Sequence, residues 1–343
     1  MKIEENVLSI AGDYETIFVD VYGVLFDGVT LYEKALITLE KLRKDGKKVV
    51  ILSNTTQVSK EAKIGYAKRG LLQNVHYDEF ITSGEFLHHT IKNHPDKFSR
   101  AMGGKSNTVK CIFIGNANVF EETHLWKVDT YAADFLYVGI PRASYGTVRI
   151  DDVFNRAGNK INIEDVIDSD WNDLQDSKGR RGFFEFACQL MNCLHLHKTL
   201  LVANPDIFAY SLQDGLSEHM AVVTQGTIAA YYEKLGGKVV YFGKPYAGIF
   251  EYAKQLVDAV EPILMIGDTP WTDISGANAC GWSSALVMTT GVAHEFLRRM
   301  DDSLSEDEKC KILFEKISPR MTKLSGSVIP KHFIKCFAYH IAK

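Results

Sequence analysis

The sequence predicts an α/β protein: a doubly wound parallel sheet interrupted by an inserted α+β domain. Three observations predict it. Near both ends of the 343-residue chain, short apolar runs of strand length alternate with segments of helical spacing, as in sheets buried on both faces. Polar residues stand at or just after the ends of four such runs, at Asp20, Ser53, Lys244 and Asp268. Between residues 86 and 202 the alternation gives way to separate strand candidates and a charged, turn-rich stretch.

Taken in order, residues 16–20 (TIFVD) form an apolar run closed by an acid, with a turn starting near Gly23. Residues 31–45 place Ala35, Leu36, Leu39 and Leu42 at helical spacing and stop at Gly46. Residues 48–53 (KVVILS) form a second buried strand, followed by Asn54-Thr-Thr. A helix over 60–68 ends at Gly70, and residues 79–82 form a third strand. Residues 109–114 and 135–138 are strand candidates in the middle region, and 151–154 and 182–193 are helix candidates, with the charged section 156–181 between them. Later come strand 238–242 with a helix over 249–260, then strand 262–266, a helix over 275–279 and strand 284–288. After His294 the chain is helical and charged, with no role legible in it.

Composition narrows the function. With 46% apolar and 24% charged residues the chain is an ordinary globular protein, long enough for two domains. A net charge of −4 gives no support for binding nucleic acid or an anionic membrane. No apolar run approaches the roughly 20 residues of a membrane span. The N-terminus is acidic where a signal peptide would be basic. The six cysteines are scattered without a CxxC pair, which suits reduced thiols in the cytoplasm better than disulfides or zinc.

Phosphoryl transfer through an aspartate needs an attacking carboxylate, a divalent cation on the phosphoryl oxygens and donors for the rest. Asp20 and Asp268 offer the carboxylates that Mg²⁺ takes as ligands, Ser53 a hydroxyl, Asn54 an amide, and Lys244 a fixed positive charge. In an open parallel sheet, ligands bind beyond the carboxyl ends of the strands, where these residues fall.

At these positions the chain resembles the haloacid dehalogenase-like (HAD) hydrolases. Asp20-Val-Tyr-Gly-Val-Leu resembles their first motif, Ser53-Asn54 the second, Lys244-Pro245 the third, and Gly267-Asp268-Thr-Pro-Trp-Thr-Asp273 the fourth. In order and spacing the resemblance covers nearly all of residues 14–292. The long insertion, the Ala203-Asn-Pro-Asp206 segment and Gln225-Gly-Thr-Ile-Ala-Ala230 resemble the subgroup with a C2-type cap, which includes phosphatases of nucleotides, sugar phosphates and pyridoxal phosphate. The resemblance implies a Rossmann-like core of residues 1–86 and 203–343, with an inserted α+β cap domain over 87–202. It implies Asp20 as nucleophile and Mg²⁺ ligand, the Tyr22 backbone carbonyl and Asp268 as further ligands, and Asp273 in support. Ser53 and Lys244 would hold the transferring phosphoryl group, with Asn54, Asn204 and Asp206 on the substrate side. The implied partner is a small phosphorylated molecule; a homodimer is admitted, and neither nucleic acid nor a membrane is expected.

One departure stands out. These phosphatases carry a second aspartate two residues after the nucleophile as general acid and base, and here that position is Tyr22. A phenol titrating near 10 is a poor proton shuttle at neutral pH. Asp27 and His219 are candidate substitutes that the sequence does not place. Bland readings stand beside the sharp ones. Asp273 also suits a helix cap, Asn204-Pro-Asp206 is ordinary turn chemistry, and Trp271 suits packing. His88, His89, His195 and His197 suit a surface, and Lys178 to Arg181 a solvated loop. Two other functions compete: a metal-free haloacid dehalogenase, disfavoured by the Asp268 and Asp273 pair, and a weakly active descendant that binds a phosphorylated ligand or a protein, favoured by Tyr22.

Overall fold

The computed structural model describes residues 2–95, 98, 109–115, 125–127, 133–139, 147–149, 194–206, 208–212, 219–298, 300–316 and 327–338. After the two-residue strand β1 (Ile3–Glu4) comes β2 (Thr16–Val19), buried along its whole length. Its one polar side chain is satisfied: Thr16 Oγ1 donates to the Val260 carbonyl and accepts from the Val260 N–H, both at 2.9 Å. Helix α1 (Ala35–Lys44) buries Ala35, Thr38, Leu39 and Leu42, a stripe at i, i+3, i+4 and i+7. Lys41, Arg43 and Lys44 occupy its last turn, where cations offset the helix dipole. The helix starts four residues later than the sequence suggests. Residues 26–31 fold back as a small flap, with an antiparallel bridge from Phe26 to Leu31, and Lys34 takes a left-handed conformation just ahead of the helix.

The chain continues through β3 (Lys48–Ser53), α2 (Ser59–Ala67), β4 (Glu79–Thr82) and α3 (Ser83–Asn93). Thr82 caps α3, its Oγ1 accepting from the Glu85 N–H at 3.0 Å. Next come β5 (Val109–Gly115), β6 (Leu125–Lys127), β7 (Phe135–Gly139), β8 (Thr147–Arg149) and β9 (Thr199–Val202). Strands β10 (Phe208–Leu212) and β11 (His219–Val223) precede α4 (Gln225–Lys234) and β12 (Lys238–Tyr241). The last part holds α5 (Ala247–Leu256), β13 (Ile263–Gly267), a π-helical turn over Pro270–Ile274 and α6 (Ser275–Ala279). It closes with β14 (Ser283–Val287), α7 (Gly291–Leu297), α8 (Glu306–Lys316) and β15 (His332–Ile334). The helix candidates 151–154 and 182–193, and the charged section 156–181, lie outside the described residues.

Seven parallel strands make the first sheet, in the order β1-β15-β14-β13-β2-β3-β4. From β2 the chain moves outward to β3 and β4, then returns on the other side through β13 and β14. The switch point therefore lies between β2 and β13, the place where an open α/β sheet parts its loops and admits a ligand. Alternation along the strands sends Ile17, Val19, Val49 and Ile51 to one core with Leu39 and Leu42. It sends Phe18, Val50 and Leu52 to the other core, with Ile249 and Phe250. There Phe18 stacks on Trp282 with ring centroids 4.6 Å apart.

A second parallel sheet has the order β12-β9-β7-β5-β6, and β10-β11-β8 form a small antiparallel one. The sequence predicts the strand over 238–242 in the sheet that carries Asp20, whereas β12 pairs with β9, Lys238 opposite Thr199 and Tyr241 opposite Val202. A short apolar run marks a strand, not the sheet it joins, and β12 is only half-buried in its own. The next strand of the first sheet after Tyr241 is β13. Helix α3 also faces the second sheet, its Leu87 and Ile91 packing with Phe135, Tyr137 and Leu201. The charged tail gives α7, α8 and β15, and β15 sits between β14 and β1 within the first sheet.

Candidate active site

Asp20 follows β2 and Asp268 follows β13, so the two neighbouring strands at the switch point each end in a carboxylate. Asp273 joins them from the π-helical turn; ligand atoms of the three lie within 4.8 Å of one another. Irregular helical turns of this kind recur at functional sites. Lys244 completes the group from the loop after β12. Its Nζ donates to Asp20 Oδ1 at 2.8 Å, Asp273 Oδ1 at 2.6 Å and the Leu52 carbonyl at 2.9 Å, which uses all three ammonium protons. Lys244 is 1% exposed, Asp273 1%, Asp268 4% and Asp20 9%, so the nucleophile candidate is the most accessible of the four.

The surroundings hold each carboxylate in place. Asp268 Oδ2 accepts from the Val292 N–H at the start of α7, at 2.6 Å, and its Oδ1 accepts from Thr269 Oγ1 at 3.0 Å. The helix N-terminus favours a negative charge there. Two glycines make room: a Cβ on Gly23 or on Gly291 would stand 2.1 Å from Asp268 Oδ2, and both have left-handed φ values, +77° and +70°. Asp273 Oδ2 accepts from the Thr269 N–H at 3.2 Å. A Cβ on Gly267 would stand 2.1 Å from the Asp273 Cβ, so only glycine can end β13 here.

Three carboxylates against one ammonium leave an excess of negative charge in a buried pocket. Burial, then Asp273 and Asp20, push the Asp268 carboxyl well above its ordinary range. Burial also raises Asp273, although Lys244 opposes the rise. Burial disfavours the charged form of Lys244, yet Asp20 and Asp273 outweigh it and hold the ammonium more firmly protonated than usual. An all-oxygen donor set that repels itself when metal-free is what a hard divalent cation stabilises, so the residues fit Mg²⁺.

Asn54 ties the site together. Its Oδ1 accepts from the Lys244 N–H at 2.7 Å, and its Nδ2 donates to the Lys244 carbonyl at 3.0 Å and to Asp206 Oδ1 at 2.9 Å. The neighbouring Ser53 is buried at the end of β3, and no described residue bonds its hydroxyl. Gly243 is required for this contact, because a Cβ there would stand 2.5 Å from Asn54 Oδ1 and 2.4 Å from the Pro205 ring. Asn204 serves the turn, its Oδ1 accepting from the Asp206 N–H at 2.9 Å.

The structure thus brings Asp20, Ser53, Asn54, Asp206, Lys244, Asp268 and Asp273 together, with Asn204 behind Asp206. Tyr22 lies partly buried with its ring edge-on to Phe26, centroids 5.2 Å apart, against the core. Asp27 does not join them: it closes the flap by accepting from the Val29 and Thr30 N–H groups at 2.8 and 2.7 Å. His219 lies in the antiparallel sheet at β11, and nothing is described of its side chain. Trp271 packs edge-on against Phe296. His88 stands 3.8 Å from Glu85 and His89 beside the Tyr252 ring, away from the acid cluster. Sequence reasoning missed Thr269, Val292 and the glycines. The run Thr289-Thr-Gly-Val after β14 was a usable signal, being polar residues at another strand end of the same sheet.

Comparison with known proteins supports the family and the fold. A family model described as haloacid dehalogenase-like hydrolase matches residues 17–126, and a HAD-hydrolase-like model matches 241–306. A haloacid dehalogenase-like hydrolase from Brucella suis superposes with a TM-score of 0.64 at 18% identity, covering 98% of this chain and 100% of that one. A protein described as a possible sugar phosphatase, from Cytophaga hutchinsonii, gives 0.60 at 20% identity, covering 99% and 100%. The glycerol phosphate phosphatase of Mycobacterium tuberculosis in complex with magnesium gives 0.55 at 18% identity, covering 87% and 74%. No match was found among curated proteins.

Proposed function

Because the chain belongs to the haloacid dehalogenase-like hydrolase superfamily, we propose that it is a Mg²⁺-dependent phosphatase of a small phosphorylated metabolite, working through an aspartyl-phosphate on Asp20. The observation that carries this reading is the Lys244 ammonium held between Asp20 and Asp273 beside Asp268. Asp20 Oδ2, which no described residue bonds, attacks phosphorus, while Oδ1 stays on Lys244. The Ser53 hydroxyl and the Lys244 ammonium hold phosphoryl oxygens, and Asn54 fixes Lys244 through its main chain. Mg²⁺, held by Asp20, Asp268 and the Tyr22 carbonyl with Asp273 in support, would supply charge neutralisation on the phosphoryl group. Water then cleaves the acyl phosphate and frees Asp20.

The second and third sheets form the cap in this reading. Strand pairing favours a core of residues 1–86 and 243–343 and a C2-type cap over 87–242, a later return than the sequence suggests. The cap would shelter the acyl phosphate and choose the leaving group. Among the described residues no helix is long and apolar enough to cross a membrane. The relatives described as a glycerol phosphate phosphatase and a possible sugar phosphatase support a small phosphate ester as substrate.

Phosphate release from a panel of phosphorylated metabolites, with and without Mg²⁺, tests the proposal against Asp20→Asn. Release that needs Mg²⁺ and disappears in the variant supports it. Equal absence of turnover in both proteins rejects it and favours the second reading, a descendant that binds phosphate esters with little turnover, for which Tyr22 is the specific observation.

A further inference from the structure

The reaction proposed above needs a proton for the departing oxygen of an ester, and later a base for the attacking water. The groups around Asp20 differ in their fitness for that task. Asp268 and Asp273 are committed to the cation site. Lys244 spends its three protons on Asp20, Asp273 and Leu52. Tyr32, within the field of Asp268, has a phenol that burial pushes further from neutrality. Asp27 is consumed by its own turn. Glu295, which also acts on Tyr32, is paired with Arg298, and among the described residues Asp206 remains.

We propose that Asp206 is the acid–base residue of this site, an inference that rests on the phosphatase reading. It arrives on the segment after β9, a strand of the second sheet, whereas Asp20 stands on the first. In-line displacement puts the leaving oxygen on the side of phosphorus opposite the attacking carboxylate. Asp206 is linked to that centre through Asn54, which bonds both its carboxylate and the main chain of Lys244, the residue whose ammonium holds Asp20. Its Oδ1 is anchored by Asn54 Nδ2 at 2.9 Å, while no described residue bonds Oδ2, which is left to carry the proton. The backbone under it is fixed: the Asp206 carbonyl accepts from the Gly226 N–H at 3.0 Å and from the Thr224 hydroxyl, and the Asp206 N–H is held by Asn204. A Cβ on Gly226 would stand 2.1 Å from the Pro205 carbonyl oxygen, so α4 abuts this turn.

Charge supports the geometry. Burial raises the Asp206 carboxyl to about 7, with Asn54 and Lys244 pulling it down and Asp20 and Asp273 pushing it up. Both protonation states are then populated at neutral pH, the condition for serving as acid and then as base. In the first step Asp20 Oδ2 bonds to phosphorus, the P–O bond to the alcohol breaks, and the Asp206 proton passes to that oxygen. In the second, water adds to phosphorus, the bond to Asp20 breaks, and the water's proton returns to Asp206 as phosphate leaves.

The test compares wild type with Asp206→Asn on glycerol phosphate, whose alkoxide must be protonated to leave, and on p-nitrophenyl phosphate, whose phenolate leaves unaided. In single-turnover measurements the variant is expected to lose about 10²–10⁴-fold on glycerol phosphate. It should keep the first burst of p-nitrophenolate within about tenfold and accumulate acid-trappable phosphoenzyme on Asp20, visible by mass spectrometry. Asp206→Glu should recover part of the glycerol phosphate rate. Equal losses on both esters without phosphoenzyme, or no loss on either, would overturn the assignment and leave Asp206 a partner of Asn54 only. A wild type that neither releases phosphate nor forms phosphoenzyme with either ester rejects the phosphatase reading itself, and this assignment with it. An active wild type matched by Asp206→Asn rejects the assignment alone.

Discussion

At the scale of single residues, the site is held by one cation and several absent methyl groups. Replacing Lys244 with methionine would leave Asp20 and Asp273 facing each other without a counter-charge. Breaking a buried ion pair by removing one partner costs about 3–5 kcal/mol, so thermal melting at pH 8 should drop sharply, and less at pH 5, where the carboxyls can take up protons. A melting temperature unchanged at pH 8 would contradict the contact. Gly291→Ala is expected to displace Asp268, because the new Cβ would stand 2.1 Å from its Oδ2. Calorimetric titration should then find Mg²⁺ affinity lowered at least tenfold, and equal affinity would show that Asp268 is no ligand. Asp20, Ser53 and Asp268 were legible in the sequence because each closes an apolar strand. The pair of hydrogen bonds between the Asn54 amide and the Lys244 main chain was not, since it depends on two loops 190 residues apart meeting.

At the scale of elements, the strands carry their positions in their composition, and the pairing does not. β2 and β13 are wholly buried and were found from their apolar runs. β12 is legible too, but not its sheet, because the half-buried run Lys-Val-Val-Tyr marks a strand and not a partner. β1 and β15, of two and three residues, are too short for any periodicity to mark. Helix α3 offers a direct test of how the two sheets are joined. Thr82 caps it, and the same hydroxyl donates to the Gln57 carbonyl at 2.6 Å. Thr82→Ala is expected to cost about 1–2 kcal/mol of stability in urea unfolding, with activity kept at temperatures where the protein is folded. A cost near zero would mean that neither bond matters to the fold.

At the scale of the whole molecule, the crowded carboxyls make stability depend on pH in an unusual direction. Asp206, Asp268 and Asp273 are all raised by burial, while in the unfolded chain each titrates near 4. Between about pH 4 and the raised values the folded protein binds more protons than the unfolded one, so stability falls as pH rises through that window. Metal-free protein should therefore melt lower at pH 8 than at pH 5.5, and Mg²⁺ should raise the melting point more at pH 8. A flat profile for both would remove the electrostatic account of the site.

The place of β15 has a consequence for synthesis on the ribosome. It lies inside the first sheet, between β14 and β1, with Ile3 opposite Phe333. β1, translated some 330 residues before it, must wait without its neighbour until residues 332–334 have been made. Nascent chains arrested before that point should expose β14 as a free edge and the N-terminal segment as a protease-sensitive tail, and release should protect both at once.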